Sequence, residues 1–184
     1  MEGIKDMEAN LASHDPNHVE RVKKLAILIA EREGADLKII EKAAELHDIA
    51  RNRENHAAEG AKLAKKLLIS EGFERDFAEK VADCIESHSF SSGKVPESLE
   101  GWILSDADKL DAMGAIGVAR AFFYSREQNK GIEEAIKHFE EKLLKLYDVL
   151  HTETAKQIGL GRHRFLEEFY NRIKREMELE DFEI

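Results

Sequence analysis

Residues 36–53, Asp36-Leu37-Lys38-Ile39-Ile40-Glu41-Lys42-Ala43-Ala44-Glu45-Leu46-His47-Asp48-Ile49-Ala50-Arg51-Asn52-Arg53, decide how the chain is read. Asp36 has the side chain of a helix N-cap, and Ile39, Ile40, Ala43, Ala44, Leu46 and Ala50 recur at the spacing of one buried helix face. The predicted helix ends at Arg51-Asn52-Arg53. An imidazole and a carboxylate, His47 and Asp48, stand near its end among almost wholly apolar neighbours. An ionised carboxylate in an apolar wall costs several kcal/mol unless a cation or hydrogen bonds compensate it. Asp48 therefore demands a partner. Adjacent helical side chains diverge by about 100°, yet a long imidazole and a short carboxylate still converge on one ion. An ion pair with Arg51 or Arg53 accounts for the dipeptide equally well.

The same periodicity extends in both directions. Asp15 and Pro16 form a cap and first turn for a preceding helix, Val22, Leu25, Ala26 and Ile29 give it an apolar stripe, and Gly34 ends it. His18 lies four residues before Val22, on that inward face. A third helix is predicted over 55–68, its Ala57, Ala58, Gly60, Ala61 and Ala64 allowing close contact and Gly72 breaking it. A fourth covers 74–87. Residues 87–96, rich in Ser and Gly, read as a loop that rims a pocket and carries His88. Ser98 caps a fifth helix through Ala112, and Gly114 and Gly117 mark a close-packed entry to the next. Two charged amphipathic helices over 132–150 and 152–177 complete the chain.

These elements suit the composition. Only 2 prolines and 11 glycines interrupt 184 residues, and Ala, Leu, Glu and Lys dominate, so the fold class expected is all-α. The length suits one domain, 1–184. With 42% hydrophobic and 36% charged residues the chain has a core and is neither disordered nor membrane-embedded. Its longest apolar runs, such as 25–30, fall far short of the ~20 residues of a membrane span. The net charge of −10 opposes a stable complex with nucleic acid or an anionic membrane. A lone cysteine, Cys84, and no visible export signal make a cytoplasmic location the expectation.

Eight histidines occur, and His138, His151 and His163, in the charged C-terminal helices, read as surface or hydrogen-bonded core residues. The segment Ser105-Asp106-Ala107-Asp108-Lys109-Leu110-Asp111-Ala112 puts three acids in an otherwise apolar helix. Asp108 and Asp111 share a face and Asp106 points elsewhere; a solvated helix start is the plain alternative. Taken together, His18, His47, Asp48 and Asp108 offer two neutral nitrogens and two anionic oxygens, each from a helix with an apolar face. Such a mixed set suits a divalent ion such as Mn, Fe, Co, Ni or Zn and, less readily, Mg. Two carboxylates cancel the charge of that ion, so a phosphate-bearing ligand needs further cations, for which Lys109, Arg51 and Arg53 are the candidates.

The order His18 in HVERV, His47-Asp48 in AELHDIARNR and Asp108 in SDADKLDAMGAIGVAR resembles the HD-domain phosphohydrolases, closest to their small stand-alone members. The resemblance covers about residues 14–124. It implies an HD-type helical bundle; the C-terminal helices, 125–184, lie outside the resemblance and are expected as an extension packed on that core. Metal ligation by His18, His47, Asp48 and Asp108 is also implied, with Asp48 and Asp108 serving in catalysis. Lys109 matches a position that contacts substrate phosphate in related triphosphohydrolases, in line with the charge argument that also names Arg51 and Arg53. Asp106 would stand behind the ligands, and Asp111 would orient the site or cap a neighbouring element. His56 and His88 would contact phosphate or transfer a proton; with His14 they occupy positions used by some members for a second metal. The substrate implied is a small nucleotide-like phosphate ester or anhydride, and some such enzymes cleave nucleoside triphosphates to monophosphate and pyrophosphate. A nucleotide phosphatase or phosphodiesterase of the same fold, a non-catalytic metal- or nucleotide-sensing module, and a purely structural set of ion pairs are the rival readings. A homodimer is compatible with the charged C-terminal helices.

Overall fold

The computed structural model describes residues 17–89 and 93–182. Those residues form eight α-helices and two short 3₁₀ turns, with no strand among them. The expected cap at Asp15 and Pro16, and His14, lie outside the described residues. The all-α expectation is met. No described helix is long and apolar enough to cross a membrane.

The chain divides into two compact units, residues 17–110 with 150–156, and residues 111–149 with 157–182. In the first, α1 (His18–Glu33), α2 (Leu37–Leu46), α3 (His56–Ser70), α4 (Arg75–Ser87) and α5 (Leu99–Asp111) follow one another. The apolar stripes become the core: Val22, Ala26, Ile29 and Ala30 of α1 and Ile40, Ala43 and Ala44 of α2 are wholly shielded from solvent. α1 packs on α2, α2 on α4, and α3 on α4. Gly34, at φ 77°, closes α1 in the left-handed conformation that glycine adopts without steric cost. Asp36 caps α2 by accepting from the backbone N–H groups of Lys38 and Ile39, and Ser98 Oγ accepts from Gly101 N ahead of α5.

Two predicted spans are corrected. α2 ends at Leu46, and residues 47–53 turn instead through three-residue hydrogen bonds, Ile49 N to Leu46 O, Arg51 N to Asp48 O and Arg53 N to Ala50 O. The His47 ring explains the stop: its Nδ1 donates to the Ala44 carbonyl at 2.8 Å, the acceptor a continuing helix would offer to Asp48 N–H. The helix expected over 132–150 is α7 (Ile132–Glu141) followed by 3₁₀ turns Leu143–Lys145 and Tyr147–Val149. Leu143 and Leu146, three apart, are both buried there, a spacing that lines up on one face of a 3₁₀ turn.

The second unit holds α6 (Gly114–Glu127), α7, the two turns and, from residue 157, α8 (Glu153–Met177). Phe122, Phe139 and Phe169 cluster with ring centroids 5.7–6.3 Å apart. Gly117 is required by contact: a Cβ there would lie 2.2 Å from the Ala112 carbonyl oxygen.

Candidate metal centre

His18 is the first residue of α1, His47 follows the last residue of α2, Asp48 lies in the turn beyond, and Asp108 is near the end of α5. His18 and His47 are buried, at 4% and 0% exposure, whereas the Asp48 and Asp108 side chains keep a little solvent access. Because the chain leaves the helix at His47, its neighbour escapes the helical divergence: His47 Nε2 and Asp48 Oδ2 are 3.7 Å apart. His18 Nε2 is 3.3 Å from His47 Nε2, 3.4 Å from Asp48 Oδ2 and 3.5 Å from Asp108 Oδ1. Three distant stretches of chain thus bring His47, Asp48 and Asp108 around His18 Nε2, and donor atoms of His18, His47 and Asp108 all lie within 4.8 Å of one another.

The chemistry of this set fits a divalent ion. With its Nδ1 bonded to the Ala44 carbonyl, the His47 ring turns Nε2 towards His18 Nε2 and Asp48 Oδ2. Donors each about 2.1 Å from a shared ion stand roughly 3.0–3.4 Å from one another, close to the spacings observed. Burial favours the protonated form of Asp48, but the hydrogen bond from His18 and the charges of His47 and Arg51 outweigh it and hold the carboxyl well below its usual range. Asp108 is also lowered: against burial, the imidazoles of His88, His47 and His18 favour its ionised form.

His88 caps α4 and is buried, its Nδ1 donating to the Ile85 carbonyl at 2.6 Å. Its ring stands 5.2 Å from that of His47 and 5.7 Å from that of His56, the first residue of α3. His47, Asp48 and His88 form a second group with donor atoms close enough to share an ion. Burial lowers the pKa of both His88 and His56. A Cβ on Gly60 would meet the His47 carbonyl oxygen at 3.6 Å and Ile85 at 3.5 Å, ordinary van der Waals contact, so α3 lies against this turn without glycine being required there.

Among the cations, Arg51 binds Asp48 Oδ2 directly, so one ion pair weighed from the sequence is present. It accounts for Asp48 but not for the convergent imidazoles. Arg53 pairs with Glu59 at 3.3 Å instead. Lys109 is buried at 5% exposure, and its Nζ donates to Ser105 Oγ at 2.6 Å, which in turn donates to the His88 carbonyl at 2.9 Å. Burial lowers the Lys109 pKa, opposed by the charges of Asp106 and Asp108.

The other two acids do different work. Asp106 is fully buried and accepts from His151 N, Thr152 N and Thr152 Oγ1 at 2.8–3.1 Å, tying α5 to the start of α8. Asp111 pairs with Arg120 at 2.5 Å. Sequence reasoning missed Ser105, although its position four residues before Lys109 was a legible signal. It also missed Thr152 and the His151 ring, which stacks on Trp102 at 5.9 Å and 7°; no local pattern announces a partner 45 residues away.

The HD domain profile matches residues 17–113. Protein YpgQ of Bacillus subtilis is 35% identical over 184 aligned positions, covering 90% of this chain and 85% of that protein. Its crystal structure in complex with ADP matches with a TM-score of 0.76 at 31% identity, over 93% of this chain and 96% of that one. The crystal structure of an HD-superfamily hydrolase from Bacillus thuringiensis matches with a TM-score of 0.72 at 37% identity, over 90% and 87% of the two chains. The bundle is therefore of the HD type, and with the profile spanning over half its length this chain belongs to the HD-domain family.

Proposed function

We propose that the chain is a divalent-metal-dependent phosphohydrolase that attacks a nucleotide or related phosphate ester or anhydride with water. The observation that carries this reading is the meeting of His18, His47, Asp48 and Asp108 within 3.3–3.7 Å along the contacts described. Family membership supports hydrolysis, and the relative crystallised with ADP supports a nucleotide. Residues 14–124 carry the chemistry in this reading, and the bond between the α- and β-phosphates of a nucleoside triphosphate is one candidate for cleavage.

His18, His47, Asp48 and Asp108 would hold the ion. A divalent ion there supplies Lewis acidity, lowering the pKa of water towards neutrality and polarising a phosphoryl oxygen. Asp48 and Asp108, both held ionised, are the acceptors for the proton that water loses. Lys109 brings a positive charge beside Asp108, fixed by Ser105, to oppose charge growing on the phosphoryl oxygens. Arg51 is already drawn to an anion at Asp48, and substrate phosphate competes for the same guanidinium, with Arg53 further out. His88, its Nδ1 proton committed to Ile85, offers Nε2 as an acceptor, and His56, whose ring stands beside it, is the second candidate for phosphate contact or proton transfer.

The test is a panel of nucleoside mono-, di- and triphosphates and phosphodiesters with Mn, Ni, Co or Mg, followed by phosphate and pyrophosphate release. Metal-dependent release is expected, and Asp48→Ala should reduce it at least about 100-fold, beyond the loss typical of residues that merely support ligands. Bound metal with no release from any ester would turn the reading towards a sensing module.

A further inference from the structure

We propose that Ser105 is a positioning residue: its hydroxyl aims the Lys109 ammonium at substrate phosphate and ties that aim to the backbone of His88. This rests on the phosphohydrolase reading. Ser105 and Lys109 lie one turn apart on α5 and share a face. Both are buried, at 2% and 5% exposure. Lys109 Nζ stands 2.6 Å from Ser105 Oγ, and Ser105 Oγ stands 2.9 Å from the His88 carbonyl oxygen.

Chemistry fixes the direction of both bonds. A carbonyl only accepts, so the single hydroxyl proton goes to His88; an ammonium only donates, so a Ser105 lone pair receives Lys109. One ammonium proton is thereby used, and Nζ makes no other hydrogen bond or ion pair among the described residues. The acids beside it in sequence are engaged elsewhere: Asp106 accepts from His151 and Thr152, and Asp108 Oδ1 lies 3.5 Å from His18. A buried ammonium with unused donors is costly until an acceptor meets it. Phosphate oxygens are such acceptors. A neutral hydroxyl orients the cation without cancelling its charge, which a carboxylate in the same place would do. Lysine carries its charge on a flexible stem, so Ser105 is the directional anchor of that charge. The far end of the relay holds the backbone of His88, whose ring stands 5.2 Å from that of His47. One hydroxyl thus sets the cation relative to the border of the donor cluster.

The experiment is a double-mutant cycle read by calorimetric binding of ADP to the Mn-loaded protein and, for the ester turned over best, by KM and kcat. Ser105→Ala removes the hydroxyl, Ser105→Cys keeps its size with only a weak acceptor, and Lys109→Met keeps the stem without the charge. Circular dichroism and elemental analysis check fold and metal content. Each Ser105 variant should weaken ADP binding and raise KM about 3- to 10-fold, with kcat moving less and bound metal unchanged. In the Lys109→Met background either substitution should change ADP binding less than about 2-fold, because the partner it serves is gone. The same loss in both backgrounds would mean that Ser105 serves only the His88 carbonyl, and overturns the proposal. Unchanged ADP binding in both single variants, or no ADP binding to the unaltered chain, overturns it as well. Absence of turnover with every ester overturns the phosphohydrolase reading instead, and the ADP arm still reports on Ser105.

Discussion

His47 does two things with one ring. Nδ1 takes the Ala44 carbonyl and so stops α2, while Nε2 joins the donor cluster; the helix end and the site share one cause. Lys109 is the clearest residue for separating roles, since it touches Ser105 rather than the four donors. Lys109→Ala should weaken phosphate binding about 10-fold or more, the scale of a lost charge-assisted contact, with metal content unchanged by elemental analysis. Metal loss in that variant would reassign Lys109 to the ion's support. Protonation gives a further check on metal-free protein. Burial lowers the folded pKa of His88 below its ordinary ~6.5, so the unfolded chain binds more protons and stability declines as pH falls below that value. The depressed Asp48 and Asp108 contribute stability above their ordinary ~4 that is lost on further acidification. The urea midpoint should therefore fall between pH 7 and 5.5, and less so in His88→Gln; a flat midpoint in the unaltered chain contradicts this account.

Among the elements, α5 is the most instructive because its three acids face three fates. Asp108 joins the cluster, Asp111 pairs with Arg120, and Asp106 anchors residues 151 and 152. Replacing Asp106 by Ala strips an acceptor from the buried Thr152 N–H and from His151 N. At about 1–3 kcal/mol per orphaned buried group, the loss should reach roughly 3 kcal/mol by urea denaturation, and Asp106→Asn should cost less. A loss within ~0.5 kcal/mol, usual for a surface site, would mean the anchor is not needed. This helix also shows what the sequence conceals. Helix periods, the Asp36 cap and the Gly34 stop are local and were legible, as was the grouping of His18, His47-Asp48 and Asp108. The stop at His47 depends on a ring nitrogen outcompeting a backbone N–H, and the partner of Asp106 depends on tertiary return of the chain. Neither leaves a periodic trace. The 3₁₀ turns after α7 were hidden for another reason: leucines three apart satisfy an α-helix pattern nearly as well.

At the scale of the molecule, an excess of ten negative charges surrounds a small site that gathers imidazoles, Lys109 and Arg51. That contrast favours a compact phosphate ligand drawn to local cations and a metal over a long polyanion held by the surface. The family was legible because its residues sit in separate helices whose apolar faces must converge; the substrate was not, because no residue pattern in the chain specifies a base or sugar. The whole account turns on one ion held by four side chains. Anomalous diffraction at the manganese edge, from crystals grown with saturating Mn, measures this directly. The account predicts a peak within about 2.5 Å of His18 Nε2, His47 Nε2, Asp48 Oδ2 and Asp108 Oδ1, allowing for the spread of metal–ligand distances. No peak at that position, or a peak bound only by other residues, would contradict it.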